Sequence, residues 1–165
     1  MEKIAQKAGI SKSNLYNYFK AKDEIFNSIT DSAAFYFRKV INHFYEDQFS
    51  PKFGEIGFNE MLTKQIFNLV SDHKDGLILL MKCSAGTRYE QLKAELMKQI
   101  ANKFLRDYAT DFSNAELLVT VITENLFDGI TSLTVCSKSD DELRMFLDDF
   151  IKYHSYGFSA LISCS

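Results

Sequence analysis

Ser11, Lys12, Ser13, Asn14, Tyr16, Asn17 and Tyr18 bring hydroxyl, amide, basic and phenolic side chains together on one short stretch. Small polar groups of this kind can reach base edges in the DNA major groove, while basic and hydroxyl groups beside them hold phosphates. Asn14 or Asn17 suits adenine, and Lys12 suits guanine. Tyr16 and Tyr18 offer hydroxyls to phosphate or ring bulk to sugar. Lys22 sets an amine and a helix start beside a phosphate. The plainer reading of the same residues is a helical hairpin with exposed tyrosines.

Reading DNA requires these groups to sit on a short helix held at a fixed angle. The neighbouring residues predict that support. Ile4, Ala5 and Ala8 have helical spacing over 2–8, and Gly9 suits the left-handed end of that helix. Ser11 is a good N-cap for a second helix reaching about Phe19, with Leu15 and Phe19 facing inward. Lys12, Tyr16 and Lys20 form the outward stripe. Asp23 and Glu24 open a third helix, favourably for its dipole, which runs through Phe37 to Phe44 as a connector.

Other chemistries find little support. His43, His73 and His154 form no metal-binding spacing and read as surface or helix-end histidines. Cys83 lacks the setting of a nucleophile and reads as a buried packing thiol. Asp140, Asp141 and Glu142 read as helix-start charges, and Asp148 and Asp149 as solvated ones. No glycine-rich phosphate loop is present. No cofactor or metal is expected.

The chain has 165 residues, is 46% hydrophobic, and contains 15 Phe but only 1 Pro and 7 Gly. That composition supports a sizeable core and long helices. The net charge of −3 argues against general affinity for nucleic acid, but its distribution is uneven. Residues 1–22 carry five lysines against Glu2 alone, or +4, which leaves −7 on the remainder. A basic head on an acidic body fits a protein of which only the head meets phosphate. Three widely spaced cysteines suggest no disulfide framework, and a reducing cytoplasm is expected. The longest apolar run, Leu77 to Met81, is too short to span a bilayer, and no secretory signal opens the chain.

Beyond the connector, Pro51, Gly54 and Gly57 break the pattern, dividing a head with connector, residues 1–46, from a body, residues 47–165. In the body, helices are predicted over 58–73, 75–84, 89–108, 115–136 and 139–162. Ser113 and Asn114 offer a cap for the fourth of these, and Ser139 for the last. No strand alternation appears, so the fold class is all-α.

The head resembles the TetR family of bacterial repressors, whose heads read IA-x-x-AG-[VI]-S-x-x-x-LY-x-[HY]-F-x-x-K-[ED]-x-[LI]. Ile4-Ala5, Ala8-Gly9-Ile10-Ser11, Leu15-Tyr16, Tyr18-Phe19 and Lys22-Asp23-Glu24-Ile25 match it. Ser84 to Tyr89, Gly129 and Gly157 match the family more loosely. The resemblance implies that Lys12, Ser13, Asn14, Tyr16, Asn17, Tyr18 and Lys22 contact DNA. It implies a homodimer through the last two helices, with recognition helices about 34–36 Å apart on a palindromic operator. It also implies a further helix ahead of the segment that starts here at Met1. Without that helix Ile4, Ala8, Leu15, Phe19 and Ile29 lose part of their cover, a loss of several kcal/mol at about 25 cal/mol per Å².

The expected function is therefore ligand-gated repression. A small apolar or aromatic effector would sit behind the connector, with Phe37, Phe67, Met81, Phe104, Tyr108 and Phe127 as candidate walls. The plainer reading makes these six residues core. The alternative function is a truncated dimer that binds a ligand or partner protein and no longer holds operator DNA. An all-α enzyme has only the unpaired histidines and Cys83 in its favour.

Overall fold

The computed structural model describes residues 1–46, 55, 57–108 and 115–163. Among the described residues there are helices and no strands: α1 (Glu2–Lys7), α2 (Lys12–Tyr18), α3 (Lys22–Glu46), α4 (Phe58–Lys82), α5 (Leu92–Tyr108), α6 (Ala115–Cys136) and α7 (Asp140–Ser163). The expected all-α class is thus observed. None of these helices is long and apolar enough to cross a membrane.

The core lies among α3 to α7. Leu80 of α4, Leu92 and Leu96 of α5, and Leu147 and Ile151 of α7 are almost completely enclosed. The connector helix α3 takes part through Ala33, Ala34 and Ile41, and packs along α4 and against α5. Helix α4 also packs on α7, and α5 on α6. The connector is therefore seated on the body over much of its length.

The break expected between the helices over 58–73 and 75–84 is observed: α4 consists of two helical stretches that meet at a kink, where His73 takes a non-helical φ −135° and ψ 26°. Three residues on, Gly76 lies so close to α3 that a Cβ there would stand 2.7 Å from both the Ala33 Cβ and the Ile29 carbonyl oxygen. One element differs from the sequence pattern, the helix after Ser84: predicted from Tyr89, it starts instead at Leu92. The preceding residues form a turn in which the Thr87 hydroxyl donates to the Ser84 carbonyl and accepts from the Tyr89 N–H.

Ser139 caps α7 as expected. Its hydroxyl accepts from the Glu142 N–H at 3.2 Å, and the Glu142 carboxylate accepts from the Lys138 N–H in return. The Pro51 and Gly54 breakers and the Ser113–Asn114 cap lie outside the described residues.

Candidate functional site

The head is built from local signals. Helix α1 ends in a Schellman turn: the Ile10 N–H donates to the Ala5 carbonyl and the Gly9 N–H to that of Gln6, with Gly9 at φ +68°. That left-handed conformation favours glycine, so Gly9 sets the angle between α1 and α2. Ser11 then caps α2, its hydroxyl accepting the Asn14 N–H at 3.1 Å. Ala5 and Leu15 are buried, holding the two short helices together. Phe19 leaves α2 in an extended conformation, and the Glu24 side chain accepts the Lys20 N–H at 2.7 Å, fixing the corner into α3.

This framework leaves Lys12, Ser13, Asn14, Tyr16, Asn17 and Tyr18 exposed on α2, and Lys22 exposed at the start of α3. Tyr18 is 76% exposed, too open to be a core aromatic. All seven candidate DNA contacts lie on two consecutive elements and are open to solvent. Among the residues expected to lose cover, Leu15 is buried, Ile4 and Phe19 are half-buried, and Ala8 and Ile29 are exposed.

A polar latch ties the connector to the body. Arg88 and Tyr89, in the turn before α5, both donate to the Asp31 carboxylate on α3, the tyrosine hydroxyl at 2.8 Å. Arg88 also reaches the Tyr89 hydroxyl at 3.1 Å. The guanidinium holds the Asp31 carboxyl below its usual range. Burial, with the bond to Asp31, raises the Tyr89 phenol. A carboxylate with a lowered pKa contributes stability above its unfolded-state value and loses it as pH falls through the lowered one. The latch is thus closed at neutral pH, weakens in acid as Asp31 is protonated, and weakens at high pH as the Tyr89 phenol loses its donor proton. Asp31→Asn is expected to lower the melting temperature at pH 7. Melting curves of the two chains are expected to converge below the ordinary carboxylate range, and an unchanged difference there would show that the carboxylate is not what holds the latch.

Behind the connector, α3 to α7 surround an apolar cavity of about 110 Å³. Phe37, Met81, Phe104 and Phe127 line it, with the Phe37 and Phe127 rings 5.6 Å apart. Phe67 does not line it, which corrects the sequence expectation. It lies one residue past Ile66 on α4, so the helix turns it away from the cavity and under the Arg144 guanidinium at 5.7 Å. The Tyr108 side chain lies outside the described residues.

The cavity wall holds few polar groups. Thr123, Thr131 and Thr134 of α6 donate their hydroxyls to the backbone carbonyls four residues earlier. His154 is the titratable side chain among the lining residues. Burial depresses its imidazole pKa below the usual 6.5, so it is neutral at pH 7. Sequence reasoning set His154 aside as a surface or helix-end residue. The signal that places it was present: Leu147, Ile151, His154 and Phe158 follow one helical stripe.

Cys83 is exposed, which corrects the expectation of a buried thiol; it follows the last residue of α4, where the chain leaves the core. Among the described residues no cluster of three or more His, Cys, Asp or Glu side chains could hold a metal ion.

Residues 1–29 match the family model described as bacterial regulatory proteins, tetR family. No curated protein and no solved structure matches the chain.

Proposed function

We propose that this chain, a tetR-family regulator by its head, is a ligand-responsive repressor that reads a palindromic DNA operator as a homodimer. The observation that carries the reading is the head itself. Residues 1–29 match the family, and its second helix presents exposed polar, basic and phenolic side chains on either side of the buried Leu15. We assign DNA contact to Lys12, Ser13, Asn14, Tyr16, Asn17, Tyr18 and Lys22. The working division is a head with connector, residues 1–46, and a ligand-binding and dimerisation body, residues 47–165. Repression of this kind places the protein in the cytoplasm.

Dimerisation is assigned to α6 and α7. Leu117, Leu118, Val121 and Val135 of α6 are exposed, as are Met145, Phe146, Tyr153 and Tyr156 of α7. Large apolar residues recurring along one face of two adjacent helices favour a partner surface. Gly157 supports the same face: nothing approaches within 4 Å of where its Cβ would stand. A mid-helix glycine costs about 0.5–1 kcal/mol relative to alanine, and close approach by a second copy would account for it.

Gating would run through α4. Its Leu69, Val70 and Leu77 line the cavity, while Gly76 rests on the connector. A small apolar or aromatic molecule that favours one seating of α3 would change the tilt or spacing of the two heads. Operator affinity would then change by the difference in binding energy between the two states.

The test is selection of duplexes by the whole chain from a random pool, followed by affinity measurements over a range of salt. A palindromic site and a steep fall of affinity with salt are expected. Asn14→Ala should cost about 1–3 kcal/mol and relax the preference at one base position. Lys22→Ala should weaken all sequences alike and lower the salt slope by about 1 per head. A second reading, a dimer that binds ligand or a partner protein and not operator, is favoured by the exposed Ile10 and Ile29 at the head. It predicts normal dimerisation with no salt-dependent duplex binding.

A further inference from the structure

The cavity is apolar around most of its wall, yet two adjacent residues of α7 retain unused hydrogen-bonding capacity there. Ser155 is only 3% exposed and lines the cavity. Unlike the three threonines opposite, it makes no side-chain hydrogen bond among the described residues. Its neighbour His154 is packed edge-on against Phe150 and Tyr153, with centroids 4.5 and 5.2 Å away, and neither ring nitrogen is hydrogen-bonded among the described residues. His154 is half-buried, and neither it nor Ser155 has a polar atom among the fully buried, unpaired ones, so both handles are open to a molecule in the cavity. A ligand hydroxyl there would stand in for water as their partner. Ser155 also lines a second, more polar groove beside Asn59, Asp148 and Lys152, so its hydroxyl stands between the apolar cavity and a wetter surface.

We infer that the cavity takes a small uncharged ring compound bearing one hydroxyl, with the ring among Phe37, Phe104 and Phe127 and the hydroxyl on His154 and Ser155. The inference rests on the effector reading above. Size limits the ligand to one small ring at most: at about 110 Å³ the cavity is smaller than the roughly 150 Å³ dry cavity that accommodates benzene, so a ring with a hydroxyl needs the walls to yield slightly. Charge is disfavoured because an ion would enter an apolar wall with no opposite charge, and the neutral imidazole supplies none. The imidazole accepts from the ligand hydroxyl, and the serine hydroxyl donates to the ligand oxygen, so both unused groups are satisfied.

Phenol, toluene and benzoate titrated into the whole chain test this, by calorimetry and by thermal shift. Phenol is expected to bind roughly three- to tenfold more tightly than toluene, the worth of one net hydrogen bond, and benzoate more weakly than either. His154→Leu is expected to abolish the preference for phenol and to keep toluene binding. Should that variant fail to fold, the His154 ring nitrogen resonances of the unaltered chain are expected to move with phenol and stay in place with toluene. Equal binding of phenol and toluene would overturn the hydroxyl handle and leave the effector cavity standing. Tighter binding of benzoate would overturn it in favour of an anionic effector. No binding by any of the three would overturn both the handle and the cavity as a ligand site.

Discussion

A chain carrying Val121→Asp and Tyr153→Asp is expected to elute as a monomer and to bind operator duplex roughly 10²–10⁴-fold more weakly than the unaltered dimer. Both side chains are exposed, Tyr153 at 72%, and neither belongs to the core within the chain. Surface substitutions of this kind usually change stability by no more than about 0.5 kcal/mol, so the fold is expected to survive. At a twofold interface each substitution is duplicated, which places four carboxylates on the apolar contact. Burying unpaired like charges there is far costlier than leaving them in water. The loss of DNA affinity follows from valency. Two linked heads make the second half-site an intramolecular encounter, and separation removes that gain. Light scattering coupled to size exclusion, followed by duplex titration, measures both effects. A variant that remains dimeric would move the interface off α6 and α7, and an unaltered chain that is monomeric at micromolar concentration would remove the dimer altogether.

Gly76→Val is expected to be the most damaging single substitution in the body. The new Cβ would lie 2.7 Å from the Ile29 carbonyl oxygen, a backbone atom with no rotamer by which to move aside. Helices α3 and α4 must separate, and the core residues Ala33 and Ala34 lose their packing. Overpacking of this kind costs about 1–3 kcal/mol, and valine's branch adds a second clash. Gly76→Ala is the graded control. Alanine gains about 1 kcal/mol of helix propensity, so its net effect should fall between glycine and valine. For a chain of this size each kcal/mol moves the melting temperature by about 2–4 °C. Thermal unfolding of the three chains decides the matter. An alanine variant more stable than the parent would show that α3 and α4 do not meet as closely as described. Because the same contact seats the connector, the valine chain is also expected to lose part of any ligand response while retaining its head.

How much of this was legible in the sequence depends on how far apart the partners lie. The head is a local structure. Gly9 and Ser11 each act on residues within a few positions and Leu15 packs toward Ala5 only ten residues back, so their types alone announced the turn, the cap and the inward face. The kink at His73 was legible. The pattern showed an interruption between His73 and Asp75, and the backbone leaves helical geometry at His73; what the pattern did not show is that both stretches pack as one long element, α4. The late start of α5 was less legible. Arg88 and Tyr89 are fully compatible with a helix; the local turn of Gly86 and Thr87 and the distant Asp31 together hold them out of it. His154 was misread for the opposite reason. Its residue type suggested the surface, whereas its place on the stripe of Leu147, Ile151 and Phe158 pointed inward.

The cavity has a consequence in volume as well as in binding. To the extent that its apolar wall keeps water out, the cavity of about 110 Å³ is volume that is lost when the chain unfolds. The unfolded state therefore occupies less room, and hydrostatic pressure favours it; volume changes for proteins run from about 20 to 100 mL/mol and grow with internal void. A molecule that fills the cavity removes part of that difference. Compression thus reports occupancy without reference to DNA: the chain should unfold at lower pressure when empty than when filled, and the shift should follow the volume of the occupant rather than its affinity alone.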